Sequence, residues 1–272
     1  MPIVVMMNPR HAQKRTMKSL RRFTCCTVLI GLMTASAAYS QVGSINSIRL
    51  FPREFNDIPG ATLSTSITLA NPYTLSFSEQ GVSAPGGFAN RDAWRFSNNG
   101  GASAYLFSNN DFFQVSMTLT LTGTPISPRK EAGFLLSTIG GDGQFIVNTD
   151  GHEIVAFGGP LPFYAFSSTY NSGDTITLGM TYFLNPSTGL RSVIYSANGV
   201  NSPILAFSNL EQGIIDGSRL GGYFQIVNAS ANPLNGGIAS FGNIAITAIP
   251  EPSVLALAGL GSLALALRRR LS

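Results

Sequence analysis

Between residues 45 and 248 no window of the chain carries a long apolar period of 3.6 residues, so helices are not expected to build this region. Short runs of β-branched and aromatic residues recur instead, separated by clusters of Gly, Asn, Pro, Asp and Ser. Residues 113–121 alternate apolar and polar side chains, with Phe113, Val115, Met117, Leu119 and Leu121 set against Gln114, Ser116, Thr118 and Thr120. Successive side chains of a strand point to opposite faces, so this run reads as a strand with one buried face. Residues 143–148 and 153–157 flank Thr149-Asp150-Gly151-His152, and Asp-Gly suits the positive φ of a type I′ hairpin turn. Residues 175–184 and 190–196 flank a second turn at 185–189, and residues 220–227 and 238–246 read as late strands. A short helical turn is expected near Leu210, Glu211 and Gln212. Roughly ten strands at regular spacing imply an all-β body, and a β-sandwich explains the alternation best. Residues 45–90 are expected to supply an opening strand and an irregular loop.

The two ends follow other rules. Basic residues run up to Arg22, an apolar stretch follows over 23–37, and Ala38-Tyr39-Ser40 places small residues before Gln41. That order is the pattern of a secretory signal, so residues 1–40 are expected to form a removable signal helix, with Met17 as an alternative start. At the other end Pro250-Glu251-Pro252 precedes a 14-residue apolar segment, residues 254–267, and then Arg268, Arg269 and Arg270. The segment approaches the lower limit for a helical span, so a single transmembrane helix is expected, with the three arginines as the cytoplasmic stop. The domain plan is therefore a signal over 1–40, a sandwich body over 41–248, and a tail over 249–272.

A Pro-Glu-Pro run, a short apolar helix and a basic end, in this order and spacing, resemble the PEP-CTERM sorting signal. The resemblance implies that an exosortase-type membrane peptidase recognises Pro250, Glu251 and Pro252. It implies an exported protein of the envelope or exterior, anchored at least transiently in the inner membrane. It also makes exopolysaccharide a candidate partner.

Charge changes the picture once the ends are set apart. The body, residues 41–249, holds eight basic and twelve acidic residues, a net charge of −4. Nucleic-acid binding rests on neutralising phosphates with Lys and Arg, so a nucleic-acid partner is excluded. Both cysteines, Cys25 and Cys26, lie in the first apolar stretch, which leaves the body without a disulfide framework or a cysteine metal site.

The hairpins and the late strands around Gly222-Tyr223-Phe224-Gln225 and residues 239–247 resemble concanavalin A-like and laminin G-like jelly rolls. The Glu-x-Asp-x-x-Glu run of laminarinase-type jelly-roll enzymes is absent. There is no Gly-x-Ser-x-Gly, and His152 is the body's single histidine, the one residue that could act as a triad base and too few for a catalytic zinc, so it reads as a solvated turn residue. Asn109, Asp111, Asp142 and Asp150 form oxygen-rich loops that suit calcium, although Asn and Asp are equally good turn formers; no other cofactor is expected. Trp94, Tyr105, Tyr164, Tyr170 and the Gly158 to Tyr164 loop are the candidate sugar-stacking residues. The leading expectation is a non-enzymatic envelope or matrix protein associated with exopolysaccharide. A jelly-roll hydrolase acting on such a polymer is the alternative, and a purely structural envelope component is a third.

Overall fold

A computed structural model describes residues 41–69, 72–83, 86–207, 215–227 and 231–250. The expected signal helix, the helical turn at 210–212, and the tail with Glu251, Pro252, Arg268, Arg269 and Arg270 lie outside the described residues. A short 3-10 turn, Gln41–Ser44, opens the described chain. Fifteen strands follow: β1 Ser47–Asn56, β2 Thr62–Thr68, β3 Tyr73–Gln80, β4 Ala89–Ser97, β5 Phe113–Thr124, β6 Lys130–Thr138, β7 Gly141–Asn148, β8 Ile154–Phe157, β9 Tyr164–Ala165, β10 Thr175–Leu184, β11 Arg191–Ala197, β12 Val200–Asn201, β13 Leu205–Ala206, β14 Arg219–Val227 and β15 Gly236–Ala248.

They form two antiparallel sheets. The seven-stranded sheet runs β1-β4-β14-β6-β7-β8-β9, and the eight-stranded sheet runs β12-β11-β10-β5-β15-β3-β2, with β13 beside β11. The chain is thus an all-β sandwich of the jelly-roll kind, as the strand pattern and the resemblance imply. Among the described residues no helix is long and apolar enough to cross a membrane.

Alternation explains the core. On β5, Phe113, Val115, Met117, Leu119 and Leu121 are buried between the sheets, while Ser116, Thr118 and Thr120 lie on the other face. Burying one such side chain is worth about 1.5–3 kcal/mol, so this strand alone anchors the centre of the eight-stranded sheet. β4 does the same for the other sheet with Trp94 and Phe96, and Trp94 meets Phe241 of β15 edge to face at 6.1 Å. The Trp94 indole needs room on its neighbour β14. A Cβ at Gly222 would stand 2.7 Å from the indole nitrogen, so glycine there keeps the slot open.

Two sequence expectations are corrected. Residues 45–90 are no irregular loop: they hold β1, β2, β3 and the start of β4, because their polar side chains belong to strands with a solvated face rather than to turns. The Asp150-Gly151 pair does not make a two-residue turn either. The left-handed residue is His152, at φ 56°, and the Asn148 side chain caps a longer loop by accepting from the Gly151 and Glu153 amides at 2.9 and 3.3 Å.

Candidate functional site

The outer face of the seven-stranded sheet holds the chemistry. Period two places Arg91, Ala93 and Arg95 of β4 on that face, while Trp94 and Phe96 turn to the core. Register then lines up a polar row across four strands, with Phe55 of β1 at its end: Phe55 opposes Arg91, Arg91 opposes Gln225, Gln225 opposes Glu131, and Glu131 opposes Asn148. Arg91 Nε donates to Gln225 Oε1 at 2.6 Å, and Gln225 Nε2 donates on to Glu131 Oε1 at 3.2 Å. Glu131 also accepts from the Tyr223 hydroxyl at 3.0 Å and from Arg129 Nε at 2.9 Å. Burial, then the Glu131 carboxylate, pushes the Tyr223 hydroxyl well above the usual tyrosine range, so it stays protonated and donates.

A second cluster adjoins the row. Arg91 lies over the Tyr223 ring at 5.3 Å and reaches Asp142 with Nη1 at 2.8 Å. Arg95, 2% exposed, donates to both oxygens of Glu54 at 2.9 and 3.2 Å and to Ser137 Oγ at 3.1 Å. Burial lowers its guanidinium below the ordinary arginine value, and Glu54 and Asp142 oppose that loss. Beneath them Ala93, Leu135, Ile146, Val155 and Tyr223 form an apolar floor. A pocket of about 280 Å³ opens above, lined by Glu54, Phe55, Phe88, Arg91, Ser137, Asp142 and Gln225. Phe55 and Phe88 are 40% and 59% exposed and meet edge to face at 6.2 Å, so the pocket has one aromatic wall.

Glu54 owes its place to a bulge. The β1–β4 register breaks between Phe51 and Phe55, and Arg53 sits there in the left-handed region at φ 57°. Its backbone amide donates to Asp92 at 2.8 Å, and its guanidinium lies 2.7 Å from the buried Glu79 of β3. The acidic side chains inside the sandwich, Asp92 and Glu79, thus hold the bulge that sets out Glu54 and Phe55.

The sugar-stacking candidates read from the sequence are corrected by this arrangement. Trp94 is 0%, Tyr105 5% and Tyr170 1% exposed, because all three face the core or a closed loop. Tyr170 spends its hydroxyl on the Leu121 and Asp174 carbonyls, and Tyr105 donates to Asp111. Tyr164 is half-buried against the core and packs on Phe166 at 4.9 Å. The Gly158 to Tyr164 loop is anchored by buried Leu161, and the Pro162 carbonyl accepts from the Tyr195 hydroxyl.

The four calcium candidates do not converge. Asp111 caps its own loop, accepting from Ser108 N; Asn109 is tied to Ile215 and Asp216; Asp142 joins Arg91; Asp150 is exposed on its turn. Among the described residues no group of three or more His, Cys, Asp or Glu side chains is arranged to hold a metal ion. His152 is exposed, with Nδ1 at 3.0 Å from the Tyr170 carbonyl. Of the sorting residues only Pro250 is described, and it is exposed.

Comparison with known proteins adds two findings. Residues 248–270 match the model of the PEP-CTERM protein-sorting motif. The chain is therefore an exported protein carrying a sorting signal, and recognition by an exosortase follows from that signal. No curated protein matches the sequence. Among solved structures, the body is similar to the family 7 alginate lyase A1-II′ in complex with product, with a TM-score of 0.51 and 9% identity over 78% of this chain and 100% of the other. It is also similar to the alginate lyase from Corynebacterium sp., with a TM-score of 0.50 and 12% identity over 78% of this chain and 98% of the other.

At such identity the likeness shows the fold. It nevertheless overturns the expectation of a non-enzymatic body, which leaned on a missing Glu-x-Asp-x-x-Glu run. These neighbours are polysaccharide lyases on the same sandwich, so absence of a hydrolase run excludes only one kind of jelly-roll enzyme. One A1-II′ structure, similar at a TM-score of 0.51 and 10% identity, is a variant with a histidine and a tyrosine replaced, in complex with substrate. Neither residue type lines the pocket described above.

Proposed function

We propose that the protein is an exported, polysaccharide-acting enzyme that cleaves an acidic exopolysaccharide in the groove around Arg91. The single observation that carries this reading is the placement of Arg91 at the pocket, bracketed by Gln225 and Asp142. A guanidinium beside an amide is suited to a sugar carboxylate, which it binds by charge-assisted hydrogen bonds. Phe55 and Phe88 give a ring an apolar wall to lie against. The names of the structural neighbours, alginate lyases, support an acidic polymer as the substrate class.

In the lyase form of this reaction Arg91 and Gln225 hold the uronate carboxylate and stabilise the negative charge that develops on it. A base then takes the proton beside that carboxylate, a carbon–carbon double bond forms, and the glycosidic oxygen leaves with a proton. Asp142 and Glu54 are the carboxylates that line the pocket, and this reading assigns the two proton transfers to them. A hydrolase reading draws on the same pair, since glycoside hydrolysis needs two carboxylates flanking one groove. The sorting signal would deliver the enzyme outside the cytoplasm, where such a polymer lies.

The experiment is digestion of acidic and neutral polysaccharides, the host's own included, by the exported protein. Ultraviolet absorbance of unsaturated chain ends identifies a lyase. New reducing ends without that absorbance identify a hydrolase. No cleavage of any of these polymers by the folded protein overturns the proposal.

A further inference from the structure

β2 ends the eight-stranded sheet. Its one strand partner among the described residues is β3, and no described segment pairs with its outer edge. A free edge presents a row of N–H and C=O groups, and proteins blunt such edges with charge, proline, a bulge or extreme shortness. β2 has none of these. It runs seven residues, pairs with β3 from Thr62 to Thr68 without a register break, and carries no charged residue and no proline. Six of its residues are exposed, and Leu63 is half-buried against the core.

The sequence of β2 is a palindrome by residue class about Thr65: Ser64 answers Ser66, Leu63 answers Ile67, and Thr62 answers Thr68. An antiparallel pair made by a two-fold axis through Thr65 sets each residue opposite its counterpart in the other copy. Leu63 and Ile67 share the inner face with Thr65, so each apolar side chain there would cover its counterpart. Ser64 and Ser66 share the outer face, where hydroxyl would meet hydroxyl. An isologous interface requires this self-complementarity. The neighbouring outer positions Thr74, Ser76, Ser78 and Gln80 of β3 are uncharged, so no like charges oppose the approach.

We infer that β2 is the interface through which a second copy of this chain joins edge to edge, fusing the two larger sheets into one continuous antiparallel sheet of twice the width. The test uses the full chain with Cys25 and Cys26 replaced by serine, which leaves it free of cysteine. Thr65→Cys sits on the axis and is expected to give a disulfide-linked dimer as the major species under mild oxidant. Ser64→Cys, whose counterpart is Ser66, stands beyond disulfide reach of its own copy and is expected to give little. Thr65→Lys sets two ammonium groups face to face and is expected to halve the mass read by light scattering, with an unchanged circular-dichroism spectrum. A monomeric parent protein, a Thr65→Lys protein that keeps the parent mass, or equal crosslinking at 64 and 65 would each overturn the inference.

Discussion

The two sheets share one core and differ on their outer faces. On the seven-stranded sheet the outer face of β4, β14, β6 and β7 carries Arg91, Gln225, Glu131 and Asp142, bonded into one network, with Arg95 paired to Glu54 beside it. On the eight-stranded sheet the matching positions are Ser64, Ser66, Ser76, Ser78, Ser116, Thr118, Thr120, Thr175 and Thr177, without one charged residue. Both faces satisfy the same folding rule, polar out and apolar in. Folding therefore does not explain the difference. Charged groups held close together cost desolvation that a hydroxyl face avoids, and a face that bears that cost marks where the molecule acts.

The sharpest break of this comparison is Arg91→Ala set against Ser240→Ala. Loss of one preorganised charge-stabilising group costs about 10²–10³-fold in turnover. We expect Arg91→Ala to lower cleavage of the acidic polymer by that factor, and Ser240→Ala, exposed on the plain sheet, to leave the rate unchanged. Steady-state rates on the same polymer decide it; equal losses from both would show that the charged face has no special role.

Next in size is Glu54→Ala. It leaves buried Arg95 without its carboxylate partner. Breaking a buried pair costs about 3–5 kcal/mol, and the partial exposure of Glu54 and the nearby Asp142 charge reduce this to about 2–3 kcal/mol. Chemical denaturation measures the loss. A variant as stable as the parent would mean that Arg95 is adequately solvated and that the network costs nothing to dismantle.

Inside the sandwich, Glu79 sets the pH dependence. Burial, then the charge of Asp92, raises its carboxyl from about 4.5 to about 8, while Arg53 opposes the shift. Burial raises Asp92 as well. The folded state thus keeps a proton that the unfolded chain gives up at lower pH. The stability that this retained proton contributes is fully present below about pH 4.5 and is lost as pH rises toward about 8, by on the order of 2 kcal/mol or more. Glu79→Gln, neutral throughout, is expected to flatten that slope in melts run across the window. Because Arg53 ties this pair to the bulge that presents Glu54 and Phe55, the variant also reports whether the interior carboxylates support the groove.

Much of the frame was legible before the structure. The nine-residue alternation at 113–121 marks β5 because a half-buried strand can have no other period. The site was harder to see. Arg91 and Arg95 stand four apart, and on a strand that spacing puts both on one face, so a strand reading of 89–97 would have brought them together. Trp94 between them suits a sugar platform by residue type, yet the same period turns it into the core. Partners such as Gln225, Glu131 and Asp142 come from strands far apart in the chain, and local patterns do not encode which strands become neighbours. Phe55 and Phe88 depend on a bulge and a loop, which break the period that makes strands readable.

The smallest effect is expected on the plain face, and it tests the comparison from the other side. Thr118 lies on β5 with Thr177 of β10 opposite it and Gly242 of β15 on its other flank. Thr118→Lys adds a charge where its neighbours bear none, with no carboxylate to pair and no like charge to repel. Surface changes of this kind stay within about 0.5 kcal/mol, and the long lysine stem covers apolar surface while its ammonium remains in water. Thermal unfolding and the cleavage rate should both match the parent. If Thr118→Lys instead lowers cleavage of the acidic polymer, the uncharged sheet takes part in handling substrate, and the division of labour between the two faces is wrong.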